Sequence, residues 1–119
     1  MEGLLFLHKN KVIHKDLKAA NILINQSGVV KLSDFGCAKQ IEKTLSQCLT
    51  DRFQDAIKGS IPWMAPEVIK QANYGRKSDI WSFGCTLIEL STGKNPWSEY
   101  KFDNPVAAIM KIGISNDIP

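Results

Sequence analysis

The sequence predicts an α+β chain, mainly α, with short β hairpins. Three observations carry this expectation. Apolar runs with strand character flank the turn Asn25-Gln26-Ser27-Gly28. A long apolar segment, DIWSFGCTLIEL, lies between a serine suited to capping a helix and a glycine suited to stopping one. Proline-led starts at Pro66 and at Asn104-Pro105 open two further helices.

Taken in order, GLLFLHK is apolar and helical in pattern, and Asn10-Lys11 reads as the turn that ends it. KVIH at 11–14 and NILI at 21–24 read as short strands flanking a polar loop. VVKLS resumes a strand after Gly28, so residues 22–24 should pair with 29–32. From residue 34 to 58 the periodicity disappears and polar residues dominate. A loop of that length inside a compact domain points to function. Pro66 starts a short helix through Lys70, and Ser78 is expected to cap the next one, which Gly93 terminates. That helix is apolar on nearly all sides, through Ile80, Trp81, Phe83, Leu87, Ile88 and Leu90, the mark of a central buried helix. The last helix carries Val106, Ile109 and Met110 on one face and is expected to end at Gly113.

At 119 residues the chain is one domain or part of one. Its 44% hydrophobic and 23% charged residues fit neither a disordered nor a membrane-embedded protein. The formal charge of +3, from 15 basic and 12 acidic residues, forms no block of either sign. Neither a nucleic-acid nor a membrane partner is therefore expected. The opening MEGLLFLHKN has too short an apolar run for a signal peptide. Cys37, Cys48 and Cys85 show no metal-ligand spacing and cannot all pair within one chain. A reducing, cytoplasmic (intracellular) setting fits them best.

HKDLKAANILI, residues 14–24, concentrates the polar chemistry. Moving a phosphoryl group from a nucleotide to a hydroxyl needs a group that accepts or orients the hydroxyl proton. It also needs metal ions against the phosphates and a cation that follows the transferred charge. Asp16 is the candidate base, Lys18 the candidate cation, and Asn21 and Asp34 the candidate ligands for Mg²⁺, which favours hard oxygens. A hairpin between Asn21 and Asp34 would return both ligands to one end of a small sheet.

His14-Lys15-Asp16-Leu17-Lys18-Ala19-Ala20-Asn21 resembles the catalytic loop of eukaryotic protein kinases. Asp34-Phe35-Gly36 resembles their metal-binding motif, Ala65-Pro66-Glu67 the close of their activation segment, and Asp79-Ile80-Trp81-Ser82-Phe83-Gly84 the start of their central helix. The four blocks occur in the family's order and approximate spacing. The resemblance implies the C-terminal lobe of a partial protein kinase domain over 1–119. Its catalytic loop would lie at 14–21, its activation segment at 34–67 and its central helix at about 79–91.

On that resemblance, Asp16 accepts or orients the hydroxyl proton, Lys18 stabilises the transferred phosphoryl, and Asn21 and Asp34 hold Mg²⁺. Leu23 matches the residue beneath the adenine of ATP. Gly36 lets the loop turn sharply, while His14 and Phe35 match residues packed in an internal column. Lys18 and Ser60 match the serine/threonine type, Ser60 as the hydroxyl beside the catalytic aspartate. GSIPWMAPEVI is similar to the MAP kinase kinase kinase group, although IPW replaces the common PYW.

The implied partners are a protein substrate with a Ser/Thr acceptor and an upstream activating kinase. Lys15, standing where the family usually has arginine, would receive a phosphate on Thr44, Ser46 or Thr50, with Thr50 favoured. The 119 residues hold no glycine-rich phosphate loop and no lysine and glutamate pair of the N-terminal lobe, and they stop before the family's last helices. On its own the chain is therefore expected to be inactive. Glu67 is expected to lack its buried arginine partner. The alternative function is a truncated, non-catalytic interaction module.

Overall fold

In the computed structural model, residues 1–41, 60–70, 75–115 and 117–119 are described. Helix α1 runs Glu2–Lys9, with Glu2 in its first turn and His8 and Lys9 in its last. Acid near the start and base near the end both complement the helix dipole. Asn10 closes it by returning its backbone N–H to Phe6 O, and Lys11 then turns with φ 59°. Strand β1, Val12–Ile13, leads into the polar loop, and β2, Ile22–Ile24, leaves it. Strand β3, Val30–Leu32, pairs antiparallel with β2 in the register Ile22↔Leu32 and Ile24↔Val30, as the sequence predicts. The turn between them is held by Asn25. Its side-chain oxygen accepts from Ser27 N (3.0 Å) and Val29 N (2.8 Å), and Gly28 supplies the φ of 76°.

The unpatterned stretch from residue 34 is not wholly loop. Phe35–Cys37 forms a 3₁₀ turn, and strand β4, Lys39–Gln40, pairs antiparallel with β1. Two-residue strands are too short to show alternation, which is why their pattern is silent.

Helix α2, Pro66–Ile69, starts on its proline as expected. Helix α3 spans Arg76–Thr92, three residues longer at its start than Ser78 as a cap would make it. Gly75 is the N-cap and Ser78 the third helical residue. Its hydroxyl accepts from Gly75 N (3.4 Å) and donates to Glu67 Oε1 (3.0 Å). Glu67 therefore has a serine donor on α3, a partner the sequence does not suggest. Gly93 ends α3 at φ 68°.

The all-round apolar reading of α3 is corrected too. Its buried residues are Ser78, Asp79, Ser82, Cys85 and Thr86, whereas Leu87 and Leu90 are 51% and 59% exposed. Helix α4, Pro105–Ile114, is capped by Asn104, whose side chain accepts from Ala107 N (2.9 Å). It buries Ala108, Ile112 and Gly113, while Val106 and Met110 lie outside at 65% and 55% exposure. Gly113 is not its terminator. A Cβ there would come within 2.8 Å of Ile69 Cγ2, so glycine permits α4 to close on α2. Ile61, Trp97, Ala108 and Ile112 form the core beneath, with Ile69, Trp81, Phe102 and Ile109 packed against it. Among the described residues no helix is long and apolar enough to cross a membrane.

Candidate active site

The loop between β1 and β2 alternates its side chains. His14 and Leu17 point inward and are buried, while Asp16 and Lys18 remain partly open. An apolar residue between two charges, Leu17 between Asp16 and Lys18, is the sequence signal for such anchoring. His14 is fully buried, and its ring lies 5.1 Å from that of Phe35 in a tilted contact. Its Nε2–H donates to Ser33 O (3.0 Å), and its Nδ1 accepts from Asp16 N (3.3 Å). The packing role of the imidazole is as expected, and its hold on Asp16's backbone is a further one.

Asp16, Lys18, Asn21 and Ser60 converge. Lys18 Nζ lies 2.9 Å from Asp16 Oδ2 and donates to Ser60 Oγ at 2.9 Å. Asn21 Nδ2 donates to Asp16 O (2.7 Å) and to Asp16 Oδ2 (2.8 Å). Burial alone would push the Asp16 carboxyl up. Hydrogen bonds from Lys18, Ser60 and Asn21 outweigh it and hold the group below its ordinary range. Asp16 is thus a carboxylate at neutral pH, surrounded by donors and fixed in direction. Because Asn21 spends its amino group on Asp16, its Oδ1 is the end left to serve as an oxygen ligand.

Asp34 sits at the same end of the hairpin as Asn21. The residue before it, Ser33, donates its backbone N–H (2.9 Å) and its hydroxyl (3.1 Å) to Asn21 O. Asp34 itself has φ 57°, and its Oδ1 accepts from Gly36 N at 3.3 Å. A Cβ on Gly36 would lie 3.2 Å from that oxygen, so a side chain there would crowd the Asp34 carboxylate and make it give by a few tenths of an ångström. Asp34 is exposed, and Leu23, on β2, is 56% exposed opposite Lys31. No group of three His, Cys, Asp or Glu side chains among the described residues forms a metal cage. An Asn and Asp pair of hard oxygens suits Mg²⁺ instead, which keeps waters and phosphate oxygens in its shell.

The residues that fix the loop lie on α3. Asp79, Ser82, Thr86 and Glu89 recur at helical spacing along one stripe. Asp79 is fully buried. Its Oδ2 accepts from His14 N (2.9 Å) and His8 Nε2 (2.8 Å), and its Oδ1 from Lys15 N (3.0 Å). Those bonds hold Lys15 at φ 73°, a left-handed conformation unusual for a lysine. Ser82 Oγ donates to Trp63 O (2.8 Å). Glu89 Oε2 accepts from Ala19 N (2.9 Å) and Trp63 Nε1 (2.9 Å). The motif at 79–84 contains Asp79 and Ser82 without showing what they bond, and Glu89 lies outside it. Polar residues at a 3-4-3 spacing inside an apolar helix were the available signal.

Cys85 is buried on α3, and burial pushes its thiol up to about 12, so it is inert at neutral pH. Cys37 is half-buried. Cys48, Thr44, Ser46 and Thr50, the last the favoured phosphate acceptor, lie outside the described residues.

Residues 1–118 match the family model described as Protein kinase domain. The whole chain is 49% identical over 120 residues to mitogen-activated protein kinase kinase kinase A of Dictyostelium discoideum, of which it spans 12%. It is 45% identical to mitogen-activated protein kinase kinase kinase 3 of Homo sapiens, with 94% of the chain and 17% of that protein aligned. Against mitogen-activated protein kinase kinase kinase 3 of Arabidopsis thaliana it is 46% identical, over all of the chain and 18% of the relative. The chain therefore spans less than a fifth of the length of these relatives.

Proposed function

Because the chain belongs to the protein kinase domain family, we propose that it carries the catalytic-loop part, the C-terminal lobe, of a serine/threonine protein kinase of the MAP kinase kinase kinase type. The full-length enzyme transfers the γ-phosphoryl of ATP to a serine or threonine hydroxyl of a protein. The observation that carries the reading is the convergence of Lys18 Nζ on Asp16 Oδ2 and Ser60 Oγ, both at 2.9 Å.

The substrate hydroxyl oxygen forms a bond to the γ-phosphorus as the bond to the leaving oxygen breaks, and its proton passes to the Asp16 carboxylate. A carboxyl held below its usual range is a weak base. Asp16 therefore works first by orienting the hydroxyl, taking the proton late. Lys18 stands close enough to Asp16 to follow the charge on the transferred group. Asn21 Oδ1 and the Asp34 carboxylate would hold Mg²⁺, which when bound neutralises phosphate charge. Leu23, exposed on its strand, would take the adenine face of ATP.

Lys15, with phosphorylated Thr50 as the favoured partner, would receive the charge that switches activity after an upstream kinase acts on the long polar loop. The reading takes the enzyme to be intracellular, where three cysteines that cannot all pair within one chain are kept reduced.

The test is phosphoamino-acid analysis of a protein acceptor incubated with the full-length enzyme, Mg²⁺ and labelled ATP. Label on serine and threonine is expected. Label mainly on tyrosine would contradict the reading.

A further inference from the structure

Five residues form a closed circuit that crosses from helix α3 to the site and back. Glu89 Oε2 accepts Ala19 N–H (2.9 Å), and Ala19 directly follows Lys18. Lys18 Nζ donates to Ser60 Oγ (2.9 Å), and the 3₁₀ turn that Ser60 begins contains Trp63. Trp63 Nε1 returns to the same Glu89 oxygen (2.9 Å). One carboxylate oxygen thus ties together the two segments whose side chains meet at Asp16. Both bonds are charge-assisted, and so stronger than neutral ones. They spring from a helix further pinned at Asp79 to His14 and Lys15 and at Ser82 to Trp63 O. Trp63 is itself buried, so its indole N–H would be costly to strand.

We propose that Glu89 is a positioning residue for phosphoryl transfer, setting Lys18 against Ser60 and Asp16 through Ala19 and Trp63. The proposal rests on the reading that Asp16 and Lys18 act on the transferred group. Glu89 does not touch the reacting atoms. Its influence runs through backbone placement, where an error of an ångström is costly to rate.

The experiment uses the full-length enzyme with Mg-ATP and a protein acceptor. Glu89→Leu keeps bulk and removes the acceptor, whereas Glu89→Gln keeps an amide oxygen that can still accept both bonds. Glu89→Leu is expected to lower kcat roughly tenfold to a hundredfold, with the KM for the protein acceptor changing by less than about threefold. Glu89→Gln is expected to restore most of that loss. Hydrogen exchange at the Ala19 amide should quicken in Glu89→Leu and stay slow in Glu89→Gln.

Unchanged kcat, or unchanged Ala19 exchange, in Glu89→Leu would overturn the proposal. So would a raised acceptor KM with intact kcat, which would assign the carboxylate to binding a substrate cation. Should Glu89→Leu fail to fold, Trp63→Phe removes one of the two donors, and an unchanged kcat there overturns the proposal equally. A parent enzyme with no transfer at all would refute the underlying reading, while Ala19 exchange would still decide whether Glu89 anchors the loop.

Discussion

Asp16 is defined by the company it keeps. Its folded carboxyl lies below the ordinary value of 3.8, because three donors outweigh the burial that would raise it. A carboxyl depressed on folding adds stability that is fully present above its unfolded value and is lost as pH falls through the folded one. Lys18 is the strongest of the lowering influences. Lys18→Met should therefore raise the Asp16 pKa toward its unfolded value and shrink that acid-side loss of stability. Carboxyl NMR titration of both proteins measures it directly, and an unmoved Asp16 titration would mean that Lys18 does not set this charge. The types of these residues were legible in the chain, as was their order. Their mutual distances were not, because Ser60 reaches Lys18 only after the chain has turned back from a segment 42 residues further on.

Among the elements, the helices show most clearly where pattern reading succeeds and where it stops. Pro66, Gly93 and the Asn104 cap behave as local chemistry dictates, since a cap needs only its own turn. The buried face of α3 needs non-local information. Hydropathy ranks Leu87 above Asp79, yet the loop's backbone N–H groups are what that face meets, and they require acceptors. Gly113 was misread for the same reason, as a stop signal, when Ile69 on another helix is what makes it necessary. Gly113→Ala should destabilise the protein by about 1–3 kcal/mol through overpacking, despite the better helix propensity of alanine. Ile69→Leu removes the Cγ2 methyl that a new Cβ would strike, so the double variant should recover part of the loss. Denaturant midpoints of the four proteins test this, and strictly additive effects would refute the contact as the cause.

Across the molecule, the stripe on α3 joins the 14–21 loop at Asp79 and Glu89 to the Ser60–Trp63 segment at Ser82 and Glu89. Regulation through Lys15 would act on the same frame, since its backbone N–H is held by Asp79. Lysine keeps the charge of the family's usual arginine but loses the planar fork, so a phosphate clamp should be weak in direction. In the full-length enzyme, Lys15→Met should abolish the difference in activity that phosphatase treatment makes, and Lys15→Arg should preserve or enlarge it. Full, phosphatase-insensitive activity in Lys15→Met would remove the switch.

The account stands or falls on Asp16 as the group that orients and receives the hydroxyl proton. Asp16→Asn keeps the shape and the bond from Asn21 while removing the charge and the proton acceptor. In the full-length enzyme, label transfer from Mg-ATP to a protein acceptor should fall roughly 10²–10⁴-fold, with circular dichroism and the melting curve little changed. Transfer by Asp16→Asn within a few-fold of the parent would contradict the central claim.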